Sequence, residues 1–598
     1  MLGPMLEKAL APVLTIEKRG LATLMAGLAG ALMLLGGAVY SHTALAQAVA
    51  PQPPLSLKSD FLGYAISLSP RVGYTDNINL VSGRQFDADG NVTSEDNPFR
   101  EGQTILSNLV TANAIISLPR FTALFSGDLD FSYLVENGDL VLNQSVGAAG
   151  TATIVDNYLY FDVAGGSSRQ LVGDNAAFSA NASAARGDRA TVNSYALSPY
   201  LFHQLPNQST VEARYRYSQV FINDSGVNPA VIPTGAALPG DGLEFLNDAT
   251  SHEALLQYES GDLFDRFRFI ATAYGNLTEE SGSDIIPEFS FDQGTVSLQA
   301  QYGLTSKFAL SGAIGYDEID TNDSTNFFDD EDLSGVFWRA GFIARPGRRS
   351  RLQLEYGRRF GDDFIQADAR YEISRRFVFT AGATRTFQTR ALANSQRITQ
   401  IGRSTLDFAD QLREGGEGSP RNIIQQATQL TSQGGGINAQ VSGIGPTNTA
   451  FASLTGTFDK SIVSFNTIYQ ASDFGFRQFE NITSTLNYTR NLSRRVSIYG
   501  NALYRYSDTG FDVNDCVVNP QNFGIPTFLI NSDPLTECTA LANQEGVSHT
   551  LSGTMGMNYA FSSRLRAFGQ YSRTDRFSPI EQLEFNENAV TAGIIVDF

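Results

Sequence analysis

The closing stretch Thr591-Ala-Gly593-Ile-Ile-Val596-Asp-Phe598 constrains this chain most, because it ends on an aromatic residue in the middle of a two-residue alternation. Phe598, Val596, Ile594, Ala592 and Val590 fall on one face of such a strand, and Asp597, Gly593, Thr591 and Ala589 on the other. A strand of this kind presents unpaired backbone donors together with apolar side chains, a combination that invites aggregation if it is left as an open edge. Closure of the sheet onto its first strand removes that edge. The competing reading is a soluble sandwich that ends on Phe.

Length and composition follow the same line. A chain of 598 residues would ordinarily divide into several soluble domains, but a large barrel is one unit at that size. Gly and Phe are abundant and charged residues make up only 17%. No long apolar run follows the amino terminus, so residues suited to lipid and to water are interleaved singly. The net charge of −20 argues against a nucleic-acid partner. Lysine occurs only at Lys8, Lys18, Lys58, Lys307 and Lys460, leaving arginine as the dominant base, the residue suited to fixed, hydrogen-bonded charge.

Lys8, Lys18 and Arg19 precede the apolar run Leu21–Leu35, and Ala46-Gln-Ala48 supplies a small-x-small site. This pattern predicts a secretory signal peptide over 1–48 with cleavage after Ala48; an uncleaved anchor is the alternative. Residues 49–60, with Pro51, Pro53 and Pro54, form a short linker. From Phe61 to Phe598 alternating runs of about ten residues are joined in turn by short turns and longer polar stretches. The grammar predicts an all-β fold: one up-and-down antiparallel transmembrane barrel of about 22 strands, within a range of 18 to 24. The short turns, such as 118–121, 205–208, 346–349, 374–376, 493–495 and 562–564, would face the periplasm. The longer stretches, 76–104, 169–189, 222–247, 319–333, 389–446 and 508–546, would lie outside. Four turns share a tyrosine, then Ser and a basic residue: Tyr302 to Phe308, Tyr371 to Phe377, Tyr488 to Val496 and Tyr559 to Leu565. A TonB-dependent transporter would carry a plug domain ahead of the first strand, where only about a dozen residues precede Phe61 after cleavage.

Two further stretches and the tail carry a resemblance. Thr591, Gly593, Val596 and Phe598 resemble the carboxy-terminal signal read by the barrel assembly machinery of the outer membrane. Leu68-Ser-Pro-Arg-Val-Gly-Tyr-Thr-Asp-Asn-Ile-Asn-Leu80 and Tyr356-Gly-Arg-Arg-Phe-Gly-Asp-Asp-Phe364, continuing to Phe377, resemble the β-barrel porin families of Gram-negative bacteria. They are closest to the barrels that accompany exopolysaccharide and PEP-CTERM sorting loci. The resemblance implies a barrel in outer-membrane lipid that serves polysaccharide export or passes small hydrophilic solutes, and it transfers no catalytic residue.

Candidate lumen residues come from the polar face of each run: Glu212, Arg214 and Arg216; Arg266 and Arg268; Arg339, Glu355 and Arg359; Asp368, Arg370 and Glu372; Arg505 and Arg566. Opposed arginines and carboxylates would set a transverse field that selects solutes; salt bridges that only support the wall are the alternative. In the clearest run Ile365, Ala367, Ala369, Tyr371 and Ile373 face lipid and Gln366, Asp368, Arg370 and Glu372 face inward. Arg385 falls on an outward position and breaks the pattern. Within 389–446, Ile398, Ile401, Phe408 and Leu412, then Ile423, Ala427 and Leu430, recur at helical spacing, predicting short helices that restrict or cap the pore. A disordered surface loop is the alternative there. Cys516 and Cys538 share one long loop and are expected to form a disulfide after export. Asp329, Asp330, Glu331 and Asp332 make a solvated acidic loop or a calcium site without the EF-hand spacing, so no metal and no cofactor are expected. His203, His252 and His549 have no serine and acid arranged with them, which argues against an enzyme. The two functional expectations are a passive channel and, from another class, a structural or adhesive surface protein anchored by a closed barrel.

Overall fold

The computed structural model describes residues 61–86, 92–171, 179, 189–223, 248–261, 264, 266–281, 289–322, 333–347, 350–388, 445–473, 477–511, 547–578 and 584–598. The leader, the linker, the loop over 389–444, the acidic run 329–332 and both cysteines lie outside those residues. From Phe61 the chain forms β1 (Phe61–Thr75), a small ribbon of β2 (Gln85–Phe86) and β3 (Val92–Ser94), then β4 (Gln103–Leu118), β5 (Phe121–Leu134), β6 (Asp139–Val155), β7 (Leu159–Leu171) and β8 (Arg189–Gln204). It continues through β9 (Thr210–Asn223), β10 (Ala249–Glu259), β11 (Phe267–Glu280), β12 (Phe289–Thr305), β13 (Phe308–Asn322), β14 (Gly335–Gly347), β15 (Ser350–Arg359) and β16 (Asp362–Glu372). The remainder is β17 (Phe377–Gln388), β18 (Gly445–Thr457), β19 (Ser461–Asp473), β20 (Arg477–Asn491), β21 (Val496–Phe511), β22 (Ser548–Ala560), β23 (Leu565–Phe577) and β24 (Phe585–Asp597).

All strands except the ribbon join one antiparallel sheet of 22 strands in which each pairs with its sequence neighbours. The tail settles the closure. β1 pairs with β4 on one side and with β24 on the other, in the register Leu68↔Val596, Arg71↔Gly593 and Gly73↔Thr591. The Phe598 N–H donates to the Ile66 carbonyl at 2.9 Å, so the terminal aromatic is tied to the first strand. No edge is left, as the terminal alternation requires.

Side chains divide as the two-residue period predicts. Val590, Ile594 and Phe598 are exposed on the outer face, while Ala589 on the opposite face is buried. Ile365 and Tyr371 are exposed outward and Gln366 is buried inward; Ile373 is also exposed but lies just past the end of β16. A soluble protein would not leave Tyr64, Leu140, Val336, Ile314, Met555 and Ile594 open to solvent around its whole circumference. Against lipid hydrocarbon these positions are satisfied, and the closed sheet pairs its strands' backbone groups with one another.

Three of the repeated turns share one hydrogen-bond device. Ser374 Oγ accepts the N–H groups of Arg376 and Phe377, Ser493 Oγ those of Arg495 and Val496, and Ser562 Oγ those of Arg564 and Leu565. The hydroxyl satisfies two donors that the tight turn would otherwise strand.

The opposite end departs from the expectation of uniformly long connections. β5 and β6 are joined by Val135 to Gly138, with Gly138 at φ 75°, and β15 and β16 by Phe360 and Gly361 alone, at φ 52° and 76°. Two successive positive φ values give the mirror-image turn that matches the strand twist, and Phe at the first position masks the signal. Within the first of these turns Glu136 accepts both the hydroxyl and the N–H of Thr104 at 2.7 Å, which hold its carboxyl below the usual glutamate range.

Arg385 now has an account. The β16–β17 ladder runs only from Ala367↔Ala383 to Tyr371↔Phe379 and Glu372↔Val378, so Asp362 to Gln366 and Thr384 to Gln388 are not paired with each other. The Arg385 guanidinium occupies that parting. It donates to Asp362 Oδ2 at 2.8 Å and to the Phe360 carbonyl and Asn448 Oδ1 at 3.3 Å. Phe387 beyond it packs against Phe291 and Phe360. Outward parity therefore does not mean lipid contact where the neighbouring hairpin is short.

Candidate functional site

Two arcs of the inner wall differ in character. On the first, β7 to β15, charged side chains converge from adjacent strands and from strands one removed. Arg214 donates through Nε to Glu212 Oε1 at 2.6 Å and through Nη1 to Asp162 Oδ2 at 2.7 Å and Ser198 Oγ at 3.1 Å, with its guanidinium 3.7 Å from the centre of the Tyr200 ring. Asp162 and Arg214 stand on β7 and β9, and β8 between them contributes only the small Ser198 and the flat Tyr200. Next to it Arg216 donates to Glu253, whose other oxygen accepts the Tyr274 hydroxyl at 3.0 Å.

Farther round, Arg359 makes a two-pronged contact with Asp317, Nε and Nη2 at 2.7 and 2.8 Å, and the Thr295 hydroxyl donates to Asp317 at 2.7 Å. The guanidinium lies between the Phe337 and Phe360 rings, 4.6 Å from each centre. Arg339 Nε sits 2.7 Å from Glu355 Oε2 in a charge contact off hydrogen-bond alignment, while its Nη2 donates to Gln299 Oε1 at 3.1 Å. Two glycines make room for this diagonal pair: Gly357 stands opposite Arg339 and Gly341 opposite Glu355. A Cβ on Gly357 would fall 2.1 Å from the Trp338 carbonyl oxygen, and one on Gly341 1.9 Å from that of Leu354. Side-chain exposure of Arg339 and Glu355 is 2% and 0%.

The second arc, β17 to β20, carries no charge at its inward positions between Val378 and Asn491 among the residues whose side chains are described. Thr449, Ser453, Ser464, Asn466, Thr485 and Asn487 face inward there and are half-buried. Ser453 donates to Asn466 Oδ1 at 2.5 Å, and Asn501 on β21 donates to Asn487 Oδ1 at 2.6 Å. Phe451 stands among them on the same inward face, 46% exposed, its ring over Gly382, where a Cβ would come within 2.4 Å of it.

The positions expected to line the lumen therefore divide. Glu212, Arg214, Arg339, Glu355, Arg359 and Arg505 are inward and buried, and Arg216 and Arg268 are inward and half-buried. Asp368 and Glu372 are half-buried, and Arg370 is exposed on the inward face opposite Arg351. Arg566 reaches Asp597 at 3.1 Å near the closing turn. Arg266 is the exception: it lies exposed in the turn before β11 and is no part of the wall, because the strand starts at Phe267. Asp162, Glu253 and Asp317 were not anticipated. Their parity placed them on the polar face, but their partners stand one or two strands away, which alternation along a single strand does not reveal.

No family model and no curated protein matches this sequence. Among solved structures, the ferric-catecholate import receptor Fiu of E. coli K12 in its open form is 10% identical over 90% of this chain and 82% of that one, with a TM-score of 0.44. The siderophore receptor PirA from Acinetobacter baumannii is 9% identical over 89% and 80%, at 0.43. A loop L8 deletion mutant of OmpT, an outer membrane protein of Vibrio cholerae, is 8% identical over 90% and 99%, at 0.26. The class rests on this chain's own geometry. A closed sheet of 22 antiparallel strands, apolar outside and polar within, is an outer-membrane β-barrel.

Proposed function

We propose that the barrel is a passive channel and not an enzyme, and that neutral, hydroxyl-rich solutes travel along the uncharged arc β17–β20. The observation that carries this reading is the pairing of half-exposed hydroxyl and amide groups with the open Phe451 ring on a stretch of wall without charge. Hydroxyls and amides exchange hydrogen bonds with sugar hydroxyls at little desolvation cost, and an aromatic face stacks on the apolar face of a pyranose. The buried arc supplies rigidity, its arginines being held by carboxylates. Export of a neutral or acidic exopolysaccharide is the most specific form of the proposal. It includes delivery by a signal peptide cleaved after Ala48 and insertion by the barrel assembly machinery through the tail ending at Phe598.

Planar-bilayer recording of the purified protein tests the channel. Open-channel current, reduced by neutral oligosaccharide and less so in Phe451→Ala, is the expected result. Absence of current, also after deletion of 389–444, removes the channel and leaves a barrel that only anchors its loops. For export, a deletion strain that secretes its polysaccharide normally ends the claim.

A further inference from the structure

Two hairpins on nearly opposite sides of the barrel carry the same outward-facing cassette. β9 contains Tyr215-Arg-Tyr217-Ser218 and β21 contains Tyr504-Arg-Tyr506-Ser507, and the strands that return from them carry Ser251-His252 and Ser548-His549 near their starts. The registers coincide: Tyr217↔His252 with Ser218↔Ser251, and Tyr506↔His549 with Ser507↔Ser548. The middle arginines, Arg216 and Arg505, turn into the wall, so the tyrosines and the histidine stand together on the lipid side.

The contacts coincide as well. Tyr215 Oη lies 2.7 Å from His252 Nδ1, and Tyr504 Oη lies 2.9 Å from His549 Nδ1. Tyr217 donates to Gln219 Oε1 at 3.2 Å, and Tyr506 to Asp508 Oδ2 at 3.1 Å. Ring centres of His252 are 6.2 and 5.2 Å from Tyr215 and Tyr217, and those of His549 are 6.1 and 5.4 Å from Tyr504 and Tyr506. Each imidazole is flanked on its other side by an apolar partner in the ladder, Leu277 or Phe577. Farther along the same outward face of β22 come Leu551 and Met555, both exposed, so the cassette stands where the apolar band ends.

With the tyrosine hydroxyl as the donor to Nδ1, the neutral imidazole carries its proton on Nε2. An N–H donor between two aromatic rings, at the level where hydrocarbon gives way to headgroups, meets acceptor oxygens there, and the charged one is the lipid phosphate. We infer that His252 and His549, each oriented by Tyr215 or Tyr504, form a pair of equivalent sites that hydrogen-bond the phosphate of a bound lipid through Nε2. The inference depends on the membrane assignment and is independent of the channel.

The test is ¹⁵N–³¹P dipolar dephasing on the full chain with ¹⁵N-labelled histidine, each signal assigned with His252→Gln or His549→Gln. In phosphatidylethanolamine bilayers Nε2 of both histidines dephases, and Tyr215→Phe or Tyr504→Phe, which keeps the ring and removes the orienting hydroxyl, abolishes most of it at its own site. In phosphate-free digalactosyldiacylglycerol bilayers supplemented with inorganic phosphate, dephasing is absent. Absence of dephasing in the phospholipid bilayer overturns the inference. Equal dephasing with inorganic phosphate makes the site one for free phosphate and overturns it too, as does dephasing indifferent to both phenylalanine variants.

Discussion

The two arcs of the inner wall solve one problem, polar groups on a concave face, in opposite ways. Between β7 and β15 the groups are charged and meet partners on the adjacent strand or the one beyond it, and the tightest pair is buried: Arg339 and Glu355 expose 2% and 0% of their side chains. Between β17 and β20 they are uncharged and bonded to near neighbours; Thr447, Ser472, Asn481 and Thr483 are buried, while Thr449, Ser453, Ser464, Asn466, Thr485 and Asn487 are half-open. A buried ion pair is costly to break because the survivor is left without a partner in a low dielectric, whereas a lost hydroxyl exposed to water is replaced by water. The difference teaches that buried charge on this wall holds neighbouring groups in place, while under the proposed channel the half-open neutral groups are the ones a solute would meet.

The largest effect that can break this comparison is the loss of one partner on the charged arc. Glu355→Ala is expected to cost about 3–5 kcal/mol, read as the shift in the urea unfolding midpoint in lipid vesicles, while the double change Arg339→Met with Glu355→Met recovers most or all of it. If the single change costs no more than the double one, the pair does not hold the wall. Gly357→Val comes next, at about 1–3 kcal/mol by the same measurement, because its side chain would meet the Trp338 carbonyl and force β14 and β15 apart. On the other arc Asn466→Ala removes one hydrogen bond and is expected to cost about 0.5–1.5 kcal/mol while weakening oligosaccharide block several-fold. A stability loss as large as that of Glu355→Ala would mean the arcs do not differ.

The smallest effect is a pH dependence at the β5–β6 turn. Glu136 is ionised in the fold at a lower pH than in the unfolded chain because Thr104 donates to it. Its contribution is fully present above the ordinary glutamate range and disappears as pH falls through the lowered value. Glu136→Gln is expected to flatten that part of the acid-unfolding curve, and an unchanged curve removes the assignment.

Much of the fold is legible in the sequence. The alternation from Val590 to Phe598 states both which face meets lipid and that the sheet must close, because a periodic strand cannot end open without penalty. The strand number follows from the regular alternation of short turns and longer polar stretches between alternating runs. Less was legible where two elements decide together: Phe360-Gly361 hides a tight hairpin, and Arg385 looks misplaced until β16 is seen to stop short of it. The cassettes around His252 and His549 were in plain view as repeated letters, yet their meaning depends on a cross-strand register.

The sequence by itself determined the period, the face and the closure, since each is a property of one strand and its solvent. Tertiary structure alone decided which arginine met which carboxylate, that Arg266 belongs to a turn, and that Asp162 and Asp317 complete the wall. The reason is geometric: along a strand neighbours repeat every second residue, but curvature brings together side chains from strands that the chain visits far apart, and no local pattern encodes that meeting.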